Sequence, residues 1–129
     1  MIGMGDSCFA CGSKNPIGLK LNFNTKNEKT IASLNLGKNY EGYKGIVHGG
    51  ILSTIIDSVM LKCLFSDGFN ALTARMDIRF KKPVFIDSEY TASSVVLSTN
   101  NEFVYLKATI KDKDEKICVL GNGVFRLIV

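Results

Sequence analysis

The sequence of 129 residues predicts an α+β domain in which a curved antiparallel sheet of five to six strands wraps one long central helix. Three observations lead there. Apolar residues alternate with polar ones over most of the chain, they switch to a helical period in a single segment, and the joints between later strands are too short for parallel crossovers. No repeat, low-complexity tract or Pro/Ser-rich linker divides the chain. Residues 1–18 are therefore read as a leader packed on one domain of residues 19–129.

The elements follow in order. After the turn-rich Gly12-Ser13-Lys14-Asn15-Pro16, the alternation of Leu19, Leu21 and Phe23 with polar residues predicts a first strand. A second, from Thr30 to Leu36, sets Ala32, Leu34 and Leu36 on one face. From Gly49 to Phe65 the pairs Ile51-Leu52, Ile55-Ile56, Val59-Met60 and Cys63-Leu64 recur every four residues, which is the wide apolar arc of a largely buried helix. Ala74, Met76, Ile78 and Phe80 then alternate with Arg75, Asp77, Arg79 and Lys81, predicting a half-buried strand ended by Pro83. Tyr90 to Thr99, Phe103 to Lys111 and Ile117 to Val129 supply three more, joined by turns at Asn100-Asn101 and Lys111-Asp112-Lys113-Asp114-Glu115.

Charge and cysteine usage narrow the function. Sixteen basic residues against twelve acidic ones leave a net charge of +4, spread along the chain, with Arg79-Phe80-Lys81-Lys82 the nearest thing to a cluster. That patterning argues against a nucleic-acid partner and suits a small basic pocket for a phosphorylated ligand. The N-terminus lacks a basic segment followed by an apolar one, and the apolar stretch Ile51 to Phe65 is broken by Asp57 and Lys62, so neither a signal peptide nor a membrane partner is expected. Cys8-x-x-Cys11 is half of a structural zinc site and the lone His48 is far from it in sequence. With Cys63 and Cys118 widely spaced, the expectation is reduced thiols, a cytoplasmic location and no metal.

Two features could carry chemistry. Gly45-Ile46-Val47-His48-Gly49-Gly50 runs straight into the helix. Glycines there let a group approach the first-turn N–H donors, at the positive end of the helix dipole, or they simply permit a tight turn. Asp57 stands mid-helix at the edge of the apolar arc, near Leu61 and Leu64, either exposed at the margin or retained for a task. Along one helix Asp57 is about 12 Å from Gly49, at about 1.5 Å per residue. A base or nucleophile must come within roughly 3 Å of the carbonyl that an oxyanion donor touches, so one chain cannot supply both. Two helices packed antiparallel about a two-fold axis would set Asp57 of one against Gly49 of the other. Catalysis by these residues thus requires a dimer. His48 could be a general base or could position the turn, and no nucleophile has a second histidine for a triad.

The chain resembles the hot-dog-fold thioesterase superfamily, in particular its phenylacetyl-CoA thioesterase-like group. The resemblance rests on Cys8-Phe9-Ala10-Cys11-Gly12 with Asn15-Pro16-Ile17-Gly18-Leu19, on Gly42-Tyr43-Lys44-Gly45-Ile46-Val47-His48-Gly49-Gly50-Ile51-Leu52, on the helical Asp57 and on Thr73 to Pro83. It implies an obligate homodimer, with pairing into tetramers common, and active sites at the subunit interface. It assigns catalysis to Asp57, Gly49, His48 and Thr73: the Gly49 N–H polarises the thioester carbonyl, a partner-chain Asp57 is nucleophile or general base, and the Thr73 hydroxyl holds the water or the carboxylate. Gly50, Phe80, Lys81, Lys82, Asn100 and Asn101 are the implied substrate contacts, with coenzyme A arriving as part of the substrate and no cofactor beyond it. At Gly42 many relatives carry Asn or Gln, a role left here to Glu41 or a water. The Ser98 to Glu102 turn has no Lys or Arg for a phosphate, which points to Lys81, Lys82 or Arg126. The expected activity is hydrolysis of an acyl-CoA to carboxylate and thiol. A non-catalytic acyl-CoA-binding domain and a hot-dog dehydratase or hydratase are the rivals, the latter lacking its His-Phe-Pro-type segment.

Overall fold

The structure, a computed structural model, describes residues 3–128. Strands β1 (Asn24–Lys26) and β2 (Lys29–Leu34) precede a 3-10 turn at Lys38–Tyr40 and the single long helix α1 (Gly49–Ser66). Strands β3 (Ala71–Phe80), β4 (Tyr90–Thr99), β5 (Phe103–Asp112) and β6 (Ile117–Leu127) follow. They form one six-stranded antiparallel sheet in the order β1-β2-β4-β5-β6-β3, wrapped on α1, which touches every strand from β2 to β6.

The expected first strand is corrected. Leu19 to Phe23 is extended but outside the sheet; the Leu19 and Leu21 N–H groups donate to the Phe9 and Ala10 carbonyls. Alternation there reflects Leu21 facing the core, not a ladder partner. The true β1 follows it and closes on β2 through Asn27 and Glu28, with φ of 53° and 63°. Positive φ at both central residues marks the type I′ hairpin, whose twist matches that of paired strands. The second strand ends at Leu34, two residues early, although Leu36 is still buried. Val129, the last residue expected in β6, lies outside the described residues.

Helix α1 buries Leu52, Ile55, Ile56, Ser58, Val59, Met60, Cys63 and Leu64. Its 18 residues and mean hydropathy of 1.4 are long and apolar enough to cross a membrane, which the interrupted stretch read from sequence was not; the sheet covers that arc. The helix sits close because β6 offers it no side chains at two positions. A Cβ on Gly121 would lie 2.5 Å from Ile56 Cγ2, and one on Gly123 would lie 2.8 Å from Met60 Cε. Interiors at crystalline packing density leave no slack for that atom. A second helix–sheet tie is the Ser94 hydroxyl, which donates to the Val59 carbonyl at 2.7 Å.

Strand β3 is more exposed than its alternation predicts. It is a sheet edge, and only Ala71 is buried, with Met76 and Ile78 half-buried and Leu72 and Phe80 exposed. Register with β6 shifts between Thr73 and Arg75, leaving Ala74 as the extra residue of a bulge. A ten-residue edge strand with apolar side chains is an open template for another strand.

Candidate active site

The loop before α1 is stapled at both ends. Glu41 bridges Val47, Ile46 bridges Phe85, and the His48 N–H donates to the Tyr40 carbonyl at 2.8 Å. His48 is the helix N-cap: its Nδ1 accepts from the Gly50 N–H at 2.8 Å, which assigns the proton to Nε2 and occupies Nδ1. The His48 carbonyl accepts from Ile51 and Leu52. The Gly49 N–H is the one first-turn donor left without an acceptor among the described residues. An orphan N–H at a helix start holds partial positive charge ready for a developing oxyanion.

That donor opens on a cavity of about 430 Å³ lined by Gly42, Tyr43, Val47, His48 and Gly49. The Phe80 ring flanks it, 3.7 Å from where a Gly49 Cβ would be. Gly42 is now explained: a Cβ there would sit 3.1 Å from His48 Cα and 3.2 Å from Cδ2, crowding the capping imidazole. Glu41 does not take over the role expected of it, since its carboxylate accepts from the Gly45 N–H at 3.0 Å and is spent on the loop. A larger hollow of about 560 Å³ lies elsewhere, lined by Asp87, Glu89, Asp112 and Asp114 among others. Its four carboxylates would repel an anionic nucleotide.

The second group of residues is formed by Asp57 and Thr73. The Thr73 hydroxyl donates to Asp57 Oδ1 at 2.7 Å, joining the helix to the start of β3. Burial pushes the Asp57 carboxyl above the ordinary carboxylate value and the Thr73 hydroxyl partly offsets it. Asp57 is half-buried rather than exposed at the helix margin.

The implied substrate contacts fall into two groups at opposite ends of the sheet. Lys81 and Lys82 follow Phe80 and are exposed, their N–H groups both donating to the Cys118 carbonyl. Asn100 and Asn101 lie beyond the other end of β3, where Phe103 pairs with Arg126 and Ala71 with Leu127. The Asn100 side chain accepts from the Glu102 and Phe103 N–H groups and so builds the turn itself. Arg126 lies over the Phe103 ring at 5.5 Å and supplies the cation that the turn lacks in sequence. It is thus separated from Lys81 and Lys82 rather than grouped with them. Within one chain the helix tip keeps Gly49, Gly50, His48 and Phe80 together, while Asp57 and Thr73 stand further along.

Comparison with known proteins agrees with this architecture. Residues 44–119 match the model of the thioesterase superfamily. Acyl-coenzyme A thioesterase THEM4 of Rattus norvegicus is 36% identical over 95 residues, covering 73% of this chain and 41% of that protein. The chain spans about two fifths of the length of the curated relatives it matches first. Among solved structures, the thioesterase superfamily protein RHA08564 superposes with a TM-score of 0.90 at 20% identity, over 94% of this chain and 60% of that one. The smu.793 protein from Streptococcus mutans UA159, solved bound to acetyl CoA, gives 0.78 at 15% identity, over 84% and 88%. The fold is the hot-dog fold, and the family match spans more than half of the sequence. This protein belongs to the thioesterase superfamily.

Proposed function

We propose that the protein is an acyl-CoA thioesterase whose active site is completed by a second copy of the chain. The observation that carries this reading is the unpartnered Gly49 N–H at the helix tip, with the Thr73-bonded Asp57 carboxylate on the same helix about 12 Å away. The helix tip polarises the thioester carbonyl. Asp57 of the partner either attacks that carbon or takes a proton from the water that does. The C–S bond then breaks and the departing thiolate takes up a proton. Where water attacked, the acyl group leaves directly as carboxylate; where Asp57 attacked, water hydrolyses the resulting acyl–Asp57 anhydride to the carboxylate and restores Asp57. Thr73 fixes the carboxylate, and His48 determines which N–H stays free.

The edge strand supports the dimer. Midway between Gly49 and Asp57 stands Ser53, and midway between Thr73 and Phe80 stand Met76 and Asp77. A two-fold axis passing these residues sets Asp57 against Gly49 of the other copy and lets the two β3 edges pair antiparallel. The same operation carries the Asn100 turn and Arg126 of one chain toward Phe80, Lys81 and Lys82 of the other. The two separated groups of substrate contacts then belong to one site, with cations at hand for the phosphates of coenzyme A. The names of the relatives, acyl-CoA thioesterases, support the same substrate class.

Thiol release from short, long and aryl acyl-CoAs tests the reading. The wild type is expected to turn over repeatedly and Asp57→Asn to lose at least about 100-fold, as for removal of a catalytic base. Only sustained turnover counts, because the four native cysteines consume thiol reagent. Equal rates would remove Asp57 from the reaction.

A further inference from the structure

Away from that site, the segment before Leu19 gathers three sulfur atoms. Cys11 Sγ donates to Met4 Sδ at 3.8 Å, and Cys8 stands three residues earlier in the same turn. The backbone makes the pairing tight: the Gly12 N–H donates to the Cys8 carbonyl at 2.8 Å, and the Cys8 N–H to the Gly5 carbonyl at 3.0 Å. A Cβ on Gly12 would collide with the Asp6 carbonyl oxygen and the Cys8 nitrogen, so only glycine closes this turn. A turn keeps its end Cα atoms within about 7 Å, and a disulfide spans about 4.4–6.8 Å. Both thiols are half-buried and open to reagent, with a hollow of about 280 Å³ beside Cys11 lined also by Met4, Leu21, Phe23 and Lys62.

The two sulfurs differ in character. Burial raises both thiols, but on Cys8 the N–H groups of Cys11, Ala10 and Gly12, with the Cys11 thiol, outweigh it and bring Cys8 below its ordinary value. On Cys11 burial is joined by the Cys8 sulfur, and together they push it up to about 11 against a small opposing pull from Lys62. Cys8 is thus the readier of the two to lose its proton and Cys11 the readier to keep it. A more acidic thiol held by N–H donors close to a less acidic one is the arrangement of an attacking and a resolving cysteine. Two thiols and a thioether fall short of the four ligands of structural zinc, and among the described residues no group of three or more His, Cys, Asp or Glu is placed to hold a metal.

We propose that Cys8 and Cys11 form a redox-active dithiol that exchanges with low-molecular-weight organic disulfides, Cys8 attacking and Cys11 resolving. The Cys8 thiolate attacks one sulfur of the disulfide, the S–S bond breaks, and one thiolate leaves. Cys11 gives up its proton to that leaving thiolate and attacks Cys8 Sγ, expelling the second thiolate, which is protonated by solvent. Two electrons pass to the organic disulfide, and the protein gains one intramolecular disulfide.

The full chain in defined ratios of reduced and oxidised glutathione, quenched by alkylation and read by peptide mass, provides the test. Wild type is expected to accumulate the Cys8–Cys11 disulfide without lasting glutathione. Cys11→Ser is expected to trap glutathione on Cys8, and Cys8→Ser to react at Cys11 at least about tenfold more slowly at neutral pH. Equal reaction at both positions, a wild type that stops at mixed disulfides, or a metal ion isolated on the two thiols would overturn the proposal. Should the variants not fold, the pH dependence of Cys8 alkylation in the wild type decides. A midpoint below the ordinary thiol value supports it, and one at or above that value overturns it.

Discussion

Replacing Gly49 by proline deletes the N–H at the helix start that has no acceptor, and changes little else. His48 has φ −58° and ψ 133°, the extended conformation that a residue before proline requires. Gly49 is the first helical residue, where proline is favoured because its missing N–H is an orphan anyway. A Cβ there meets only ordinary contacts with Phe80, at 3.7 and 3.8 Å. Thermal stability is therefore expected to hold or to rise by about 0.4–1 kcal/mol, through lost freedom of the unfolded chain. Turnover is expected to fall by about 10²–10³, or about 2.7–4 kcal/mol, the usual loss on removing one oxyanion donor. Gly49→Ala keeps the N–H and should retain most of the rate, which separates lost donor from added bulk. Mixing then tests the shared site. Gly49→Pro and Asp57→Asn are each inactive alone, but half the dimers formed on random reassembly carry one intact site, giving about a quarter of wild-type activity. Thiol release on the reassembled mixture measures this, and heterodimers isolated through two different tags should show about half of wild-type activity. Full activity of Gly49→Pro, or heterodimers without recovery, would refute the reasoning.

Four further outcomes follow. Because burial raises the Asp57 carboxyl, the acid limb of the pH–rate profile should lie above the ordinary carboxylate range, and Thr73→Val should move it higher by removing the lowering hydroxyl. The same burial acts on stability with a definite sign: the folded state holds the Asp57 proton more tightly than the unfolded one, so stability from this group is present at low pH and is lost as pH rises through the folded value. Asp57→Asn should accordingly match or exceed the wild type in chemical denaturation at pH 7, with that advantage shrinking in acid. Gly121→Ala should destabilise by about 1–3 kcal/mol, and Ile56→Leu, which removes the colliding Cγ2, should restore part of it in a double-mutant cycle. His48→Asn keeps a capping acceptor for Gly50 and should preserve stability and most activity, whereas His48→Ala should cost about 1 kcal/mol in denaturant unfolding and lower turnover.

What could be read from the sequence was whatever local periodicity encodes. The paired apolar residues from Ile51 to Leu64 defined α1 within a residue of its end, because a helix enclosed on most sides must be apolar on most sides. Leu19, Leu21 and Phe23 misled because an extended chain shows one face to a core whether or not it joins a ladder. The Asn27-Glu28 hairpin was hidden because neither residue is glycine, although both take positive φ. Of the site, the helix glycines and Asp57 were visible as anomalies, and their spacing gave the two-copy argument. The spent Glu41 and the free Gly49 N–H depend on which donors meet which acceptors, and no spacing encodes that. Gly121 and Gly123 looked like weak points in a strand until the helix lay across them.

The straight run of α1 between Gly49 and Asp57 behaves as a calliper with locked jaws. One residue inserted anywhere between them would swing the carboxylate by about 100° and shift it about 1.5 Å along the axis, off Thr73 and out of reach of its counterpart. Length variation among functional descendants of this chain should consequently collect in surface connections such as residues 111–116, and the eight-step interval should admit substitutions but no insertions or deletions.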